Sequence, residues 1–319
     1  MRKKLKFITY GNCQAWPLGR LLAESEFGRQ YLENVPVMSV HLLAPEDKDL
    51  LYKNVADTDI FIFQPVSSAY GDFSTALLLD LLKPGAIKLS IPVCYFRAYN
   101  PELIYLPGGD KVSRNHRLFA YHNIHLLRSY CKGGSLDQAA GDIMNRQLVS
   151  YETIIHCFNT DIGELARREQ QLDISISDFI AENWTQTRLF FTFNHCCTRV
   201  LRVIANRVIG RLGGNDLISE SEESRLGEPL GAFVPPMYQA VYRKLWFPEE
   251  PNRFDVKFSS ETLPFLEYAK RAYYLYQAND TAIKNSFHLL ESSTDDVIRS
   301  LAKPSPAAII SSEPNGKRV

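Results

Sequence analysis

Two short stretches hold the residue types best suited to chemistry. The first is Gly11-Asn12-Cys13-Gln14, which follows the apolar run Lys6–Tyr10 (KFITY) and precedes a helix opening near Pro17. One tight turn thus carries a thiol, two amides and a glycine. A thiol near a helix N-terminus can lose its proton more readily, and the thiolate is the nucleophile. Turn amides before a helix can also bind an oxyanion or a phosphate. The second stretch is TFNHCC, Thr192–Cys197. His195 ends the apolar run LFFTF and precedes a helix, the same kind of position as Cys13. It is the best candidate for a general base. Cys13, His195, Asn12 and Gln14 are the catalytic candidates. Each has a plainer alternative: a buried turn cysteine, a packed or capping histidine, and Asn194 as a helix N-cap.

The same place offers the residue types of a metal site. His195, Cys196 and Cys197 are three possible zinc ligands. Adjacent cysteines point apart on a helix, and no second ligand pair shows the usual spacing. No metal is expected.

These turns need elements to position them. The first 130 residues alternate in type. Lys6–Tyr10, Val35–Leu42, Asp59–Gln64 (DIFIFQ) and Ala86–Tyr95 read as strands. Pro17–Ser25, Pro45–Asn54 and Ser74–Leu82 read as helices. DIFIFQ is continuously apolar, as a strand buried on both faces must be. The alternation predicts an α/β fold with a mainly parallel sheet. From about residue 133 the pattern turns helical: 135–150, 150–171, Ser177–Asn183, and a long helix Thr198–Leu212 stopped by Gly213-Gly214-Asn215. Residues 216–235 read as a linker or long loop, Pro264–Ala278 as a Tyr-rich helix, and Lys303–Val319 as a disordered end. The expected organisation is an α/β domain over 1–132, a helical domain over 133–215 that completes the site, and a linker plus helical extension over 216–319.

Composition narrows the function. Of 319 residues, 45% are apolar, enough for a sizeable core. Lys+Arg and Asp+Glu both number 36, so the formal charge is zero, which argues against bulk nucleic-acid binding. The six cysteines form no C-x-x-C pair, which suits a reducing compartment rather than a disulfide framework. No apolar run approaches the roughly 18 residues of a membrane span, and the basic start lacks a signal peptide's apolar stretch. A cytoplasmic protein is expected.

In parallel sheets ligands sit beyond the carboxyl ends of the strands. Gly11 lies at the first such end, Gln64 and Ser67 at another, and Arg97 beyond a third. The basic stretch SRNHRLFAYHNIH adds Arg114, Arg117 and His122 as candidates for an anionic ligand, with a solvated connection as the alternative. Neither a G-x-G-x-x-G turn nor a P-loop is present, so an NAD enzyme or nucleotide hydrolase is disfavoured.

The strand–GNCQ–helix turn resembles the first turn of SGNH-type hydrolases. Cys13 stands where their serine nucleophile sits, and Asn12 where their aspartate sits. More specifically, the chain resembles the WcbI family of capsular polysaccharide biosynthesis proteins. The segments are FITYGNCQ, DIFIFQPVS, AYHNIHLL, Arg168-Glu169 with ISDFI, and LFFTFNH before a helix, together spanning roughly residues 5–212. The resemblance implies a cytoplasmic acetyltransferase that uses acetyl-coenzyme A to O-acetylate a sugar of a capsule precursor. It also implies an α/β part joined to a helical part, and contact with other capsule enzymes. On this reading His195 is the base. Cys13 is either acetylated transiently or lines the pocket, Asn12, Gln14 or Gln64 assists the oxyanion, and Arg97, Arg114 and Arg117 meet the coenzyme phosphates. The chain departs from the family pattern twice: Cys196-Cys197 follows the histidine where a proline is expected, and Asn123 follows His122 in place of an aspartate. Two other readings remain open: an esterase or thioesterase using water as acceptor, and a non-catalytic subunit of capsule assembly that binds coenzyme A or a partner.

Overall fold

A computed structural model of the chain describes residues 3–107, 120–145, 148–237, 241 and 255–302. These residues divide into two compact units, each discontinuous in sequence. One comprises 1–96 and 159–232, the other 97–158 and 233–319.

The first unit is built on four strands: β1 (Leu5–Tyr10), β2 (Leu32–Asn34), β3 (Ile60–Phe63) and β4 (Ile87–Ser90). Every pair is parallel and the order is β2-β1-β3-β4. The chain leaves β1 toward one edge to form β2, then returns to β1's other side for β3. The order therefore reverses between β1 and β3, where doubly wound sheets open a ligand crevice at their carboxyl ends. β3 is buried along its whole length, as its unbroken IFIF run requires. On one face Ile8, Tyr10, Phe61 and Phe63 pack with Val40, Leu51, Val55 and Leu78. The last three lie on or beside the helices α3 (Lys48–Asp57) and α4 (Thr75–Asp80). On the other side lies α1 (Ala15–Glu24), followed by α2 (Glu26–Tyr31). A Cβ on Gly19 would sit 2.4 Å from Thr9 Oγ1, so only glycine lets α1 approach β1 this closely.

Two expected strands are shorter than their apolar patterns. No residue of Val35–Leu42 is in a strand: β2 ends just before it at Asn34, and Val40–Leu42 forms a 3-10 turn. β4 stops at Ser90 because Pro92 cannot donate to the ladder. The same unit receives α8 (Ser177–Asn183), the hairpin β7 (Phe190–Thr192) and β8 (His195–Cys196), α9 (Thr198–Arg211) and α10 (Glu220–Leu226). Residues 220–226, expected within a linker, form a helix because Ser219 and Glu222 make a capping box.

The second unit holds β5 (Leu103–Ile104) paired antiparallel with β6 (His122–Asn123), then α5 (Ile124–Cys131) and α6 (Leu136–Asn145). The helix α7 (Tyr151–Glu169) runs from this unit into the first. A three-stranded antiparallel sheet, β9 (Phe233–Val234), β10 (Val256–Phe258) and β11 (Glu261–Leu263), precedes α11 (Phe265–Ala278), α12 (Asp280–Glu291) and α13 (Asp296–Ala302). The Tyr-rich pattern of α11 is a packing pattern: Tyr268, Tyr273 and Tyr276 are buried. Among the described residues no helix is long and apolar enough to cross a membrane.

Candidate active site

The GNCQ turn lies at the carboxyl end of β1, beside Gln64 at the end of β3, and so at the switch point. Gly11 has φ +156°, and a Cβ there would sit 2.3 Å from Gln64 Oε1. Glycine is required because a side-chain amide packs directly on the backbone. Gln64 Oε1 accepts from the Asn12 N–H at 2.8 Å, and Asn12 Oδ1 accepts from the Gln14 N–H at 2.9 Å.

Gln14 is buried and saturated with hydrogen bonds. Its Nε2 donates to Cys94 O at 2.7 Å and to Asn194 O at 2.8 Å. Its Oε1 accepts from the Cys94 N–H at 3.0 Å and from Gln64 Nε2 at 3.1 Å. Gln64 Nε2 spends its second proton on Pro92 O, also at 3.1 Å. A primary amide has two N–H donors. Both glutamines have used theirs on the protein, so neither has one left for an oxyanion. They act as a clamp that fastens the chain after β1, β3 and β4 to the 190s hairpin. The Phe96 N–H, donating to Phe193 O at 2.6 Å, adds a second tie between the same segments.

His195 does not end a strand of the parallel sheet. It sits on the β7–β8 hairpin, opposite Thr192, and reaches the GNCQ turn because Gln14 holds its neighbour Asn194. Asn194 occupies the hairpin turn. The N-cap of α9 is Cys197, and Glu228 supplies the missing acceptor, taking the Thr198 N–H at 2.8 Å. That glutamate lies within the stretch expected as a linker, with no local signal to reveal its partner.

Burial pushes the His195 imidazole down to about 4, and His41 nearby adds to the effect. His195 is therefore neutral at pH 7 and able to accept a proton. His41 stands in the Val40–Leu42 turn, tied to the site by the Val40 N–H donating to Gly11 O at 2.8 Å. The sequence reading missed this histidine. Cys13, expected to have an eased proton, shows the reverse. Burial pushes its thiol up to about 11, outweighing a stabilising bond from its own N–H. Desolvation disfavours the thiolate more than the adjoining turn favours it. Below it, Cys94 and Cys196 are fully buried, and the bond between their thiols together with burial drives Cys196 upward. All six cysteines are free, and among the described residues no cluster of three potential ligands suits a metal.

The remaining candidates lie elsewhere. Ser67 is exposed on the 3-10 turn beyond β3. In the second unit Arg97 is buried and ion-paired with Asp295, and His122 is fully buried with Nδ1 3.2 Å from Tyr276 Oη. Arg114 and Arg117 lie outside the described residues. Asn123, in place of the family's aspartate, caps α5: its Oδ1 accepts from the N–H groups of His125 and Leu126. Glu169, in another family-like segment, is buried and accepts from the Ile176 and Ser177 N–H groups and the Ser177 hydroxyl. It braces the start of α8.

A profile of the polysaccharide biosynthesis enzyme WcbI matches residues 6–217, two thirds of the chain. The chain belongs to the WcbI family. The matched span contains the whole parallel sheet, the GNCQ turn and His195. No curated protein matches. A solved structure of WcbI, described as a novel polysaccharide biosynthesis enzyme, superposes with a TM-score of 0.77 at 22% identity, covering 94% of this chain and 98% of that one. That WcbI structure is the native protein without a disulfide bond between coenzyme A and one of its cysteines. The fold of this chain is thus the WcbI fold, and its family is that of a polysaccharide biosynthesis enzyme.

Proposed function

We propose that this protein transfers an acetyl group from acetyl-coenzyme A to a sugar hydroxyl of a polysaccharide precursor, at the switch point between β1 and β3. The observation that supports it most is a neutral His195 held beside the GNCQ turn by Gln14. A cysteine able to form a disulfide with coenzyme A, as named for WcbI, must lie near the thiol end of the cofactor. Of the six cysteines here, Cys13 and Cys131 are half-buried and the other four buried. Only Cys13 of those two stands at the sheet's carboxyl edge, so the thioester is assigned to Cys13's side of the pocket.

In this reaction His195 takes the proton of the sugar hydroxyl as its oxygen attacks the thioester carbonyl. A tetrahedral oxyanion forms. It collapses with loss of the coenzyme thiolate, which recovers the proton from His195. The Asn12 side chain is the oxyanion donor: its Oδ1 is used by Gln14, and its Nδ2 makes no hydrogen bond among the described residues. Gln14 and Gln64 keep the turn rigid.

The same burial favours one of two routes. A covalent route needs His195, near 4, to deprotonate Cys13, near 11. The burial that raises the Cys13 thiol disfavours the resting thiolate that such a nucleophile needs. A sugar hydroxyl is a still weaker acid, but its proton passes to His195 in concert with attack on the thioester, so no free alkoxide is needed, and Cys13 is then a pocket wall. The hydrolase reading differs only in its acceptor. The test is to supply acetyl-coenzyme A with and without a panel of sugars and measure release of the coenzyme thiol. Release that depends on sugar, and that survives Cys13→Ser, is the expected result. Equal release without sugar means hydrolysis, and no thermal shift with either coenzyme form removes the proposal.

A further inference from the structure

The carboxyl edge of the parallel sheet holds a second opening, a cavity of about 290 Å³. Pro65, Pro92 and Val93 form part of its wall, and Arg167, Arg168 and Gln171 another part. Pro65 follows Gln64, and Val93 precedes Cys94. Pro92 O accepts from Gln64 Nε2. The cavity thus shares its backbone with the glutamine clamp.

Its polar wall is the end of α7, where two guanidiniums share one carboxylate. Arg167 Nε and an Nη each donate at 2.8 Å to the two oxygens of Glu164. Arg168 Nε lies 3.4 Å from Glu164, is buried, and makes no hydrogen bond among the described residues. Two guanidiniums against one carboxylate leave a net positive charge, and the partly exposed Arg167 and Arg168 side chains present it to the opening. Cations at a helix C-terminus are favoured by the dipole alone, which accounts for their place in the sequence. The dipole does not account for an apolar, concave wall of prolines and leucines facing them. The carbonyls of Arg168 and Glu169 are satisfied by the N–H groups of Gln171 and Leu172, which reduces their repulsion of an anion.

We infer that this cavity is a phosphate-binding subsite in which Arg167 and Arg168 grip a phosphoryl or pyrophosphoryl group. Guanidinium forks match such oxygens in pairs. The volume sits at the lower end for ligand pockets, so it takes a charged head group rather than a whole nucleotide. Two ligands of the proposed reaction carry this chemistry: coenzyme A through its own phosphates, and an acceptor sugar carried on a nucleoside diphosphate. The choice between these two sources rests on the proposed acyl transfer, but phosphate binding itself does not.

The experiment titrates the full-length protein by calorimetry with inorganic pyrophosphate, coenzyme A, dephospho-coenzyme A and a nucleoside diphosphate sugar. Arg168→Gln and Arg167→Gln weaken pyrophosphate by roughly 10- to 100-fold, as for a lost charge-assisted bond. Glu164→Gln removes the competing carboxylate and tightens it several-fold, a change of sign that a merely structural arginine would not produce. Arg168→Lys keeps part of the affinity that Arg168→Gln loses. A matching loss for coenzyme A identifies the cofactor as the source, and a loss confined to the nucleotide sugar identifies the acceptor. The inference is overturned if the parent takes up no pyrophosphate at millimolar concentration, or if both arginine variants bind every probe as the parent does. Acetyl transfer is assayed separately, so its failure with phosphate binding intact refutes the proposed function and not the subsite.

Discussion

The turn after β1 and the turn after β6 are built to one local plan. In each, a short strand gives way to a helix and an asparagine side chain accepts from a nearby backbone N–H: Asn12 from Gln14, Asn123 from His125 and Leu126. Each brings a reactive type beside that asparagine, Cys13 in one and His122 with His125 in the other. They differ in what covers them. Asn12 and Cys13 remain half-open, whereas His122 and His125 are 0% and 4% exposed. They also differ in what the neighbouring amides do. Gln14 and Gln64 are fully engaged in fastening one turn to distant chain, while Asn12, Cys13 and His195 stay partly exposed. The first turn is left partly open, as the proposed acyl transfer requires, and the second is a capped, packed helix start. A polar residue at a strand end becomes part of a site only when other residues take over its structural duties.

The largest effect expected from this contrast is on turnover. His195→Ala lowers acetyl transfer by roughly 10²–10⁴-fold, the usual cost of a lost general base, while its urea midpoint stays near the parent's. His125→Ala does the opposite: it opens a cavity in the second unit, lowers the midpoint, and leaves kcat per folded molecule unchanged. Equal losses of kcat in both variants would erase the distinction between the two turns.

The clamp comes next. Gln14→Leu keeps volume but leaves Cys94 O, Cys94 N–H and Asn194 O without partners, at about 1–3 kcal/mol for each buried group. A loss of several kcal/mol in chemical denaturation is expected. A loss below about 1 kcal/mol would show that water replaces the amide and that the clamp does not fix the site.

How much of this was legible in the sequence follows from the same residues. The parallel sheet was readable because the short apolar runs IFIF and KFITY, alternating with helical stretches, fit buried strands. The catalytic candidates after β1 were readable as types. Their roles were not, because Gln14 and Cys13 carry the same local signals whether they meet a substrate or a carbonyl 80 or 180 residues away. His195 was placed on a parallel strand's end because LFFTF is apolar, but a hairpin turn at Asn194 lies within the same letters. The direction of the Cys13 shift depends on burial, which arises from packing and leaves no trace in the turn itself.

A pH scan sharpens the contrast with a smaller effect. Burial holds His195 at about 4 and His125 at about 3, both below the value near 6.5 of an unfolded chain. In that interval the unfolded state binds more protons than the folded one, so stability rises with pH. The stabilisation is complete above pH 6.5 and is lost progressively as the pH falls through about 4 and then 3. For the fully enclosed His125 this amounts to about 2 kcal/mol between pH 6.5 and 5. The test compares melting temperatures at pH 7.5 and 5.0 in the parent and in His125→Asn. A variant with as steep a decline as the parent would mean that this histidine takes up its proton without unfolding the second unit.

The smallest effect separates the two asparagines directly. Asn123→Ala removes an N-cap acceptor that serves two N–H groups of α5, a change worth about 1 kcal/mol. For a chain of this length that moves Tm by only about 2–4 °C. Acetyl transfer should be unaffected, because Asn123 is buried at a helix start of the second unit. Asn12→Ala removes an acceptor of the same kind from a half-open turn, where water can replace it, so its stability cost is no larger. It also removes Nδ2, the donor assigned to the oxyanion, and a lost donor of that kind costs on the order of 10²-fold in kcat. The pair therefore shares one stability change and splits on turnover. If Asn12→Ala and Asn123→Ala leave kcat equally intact, Asn12 is a cap like its counterpart, and the oxyanion must be held by a group outside the GNCQ turn.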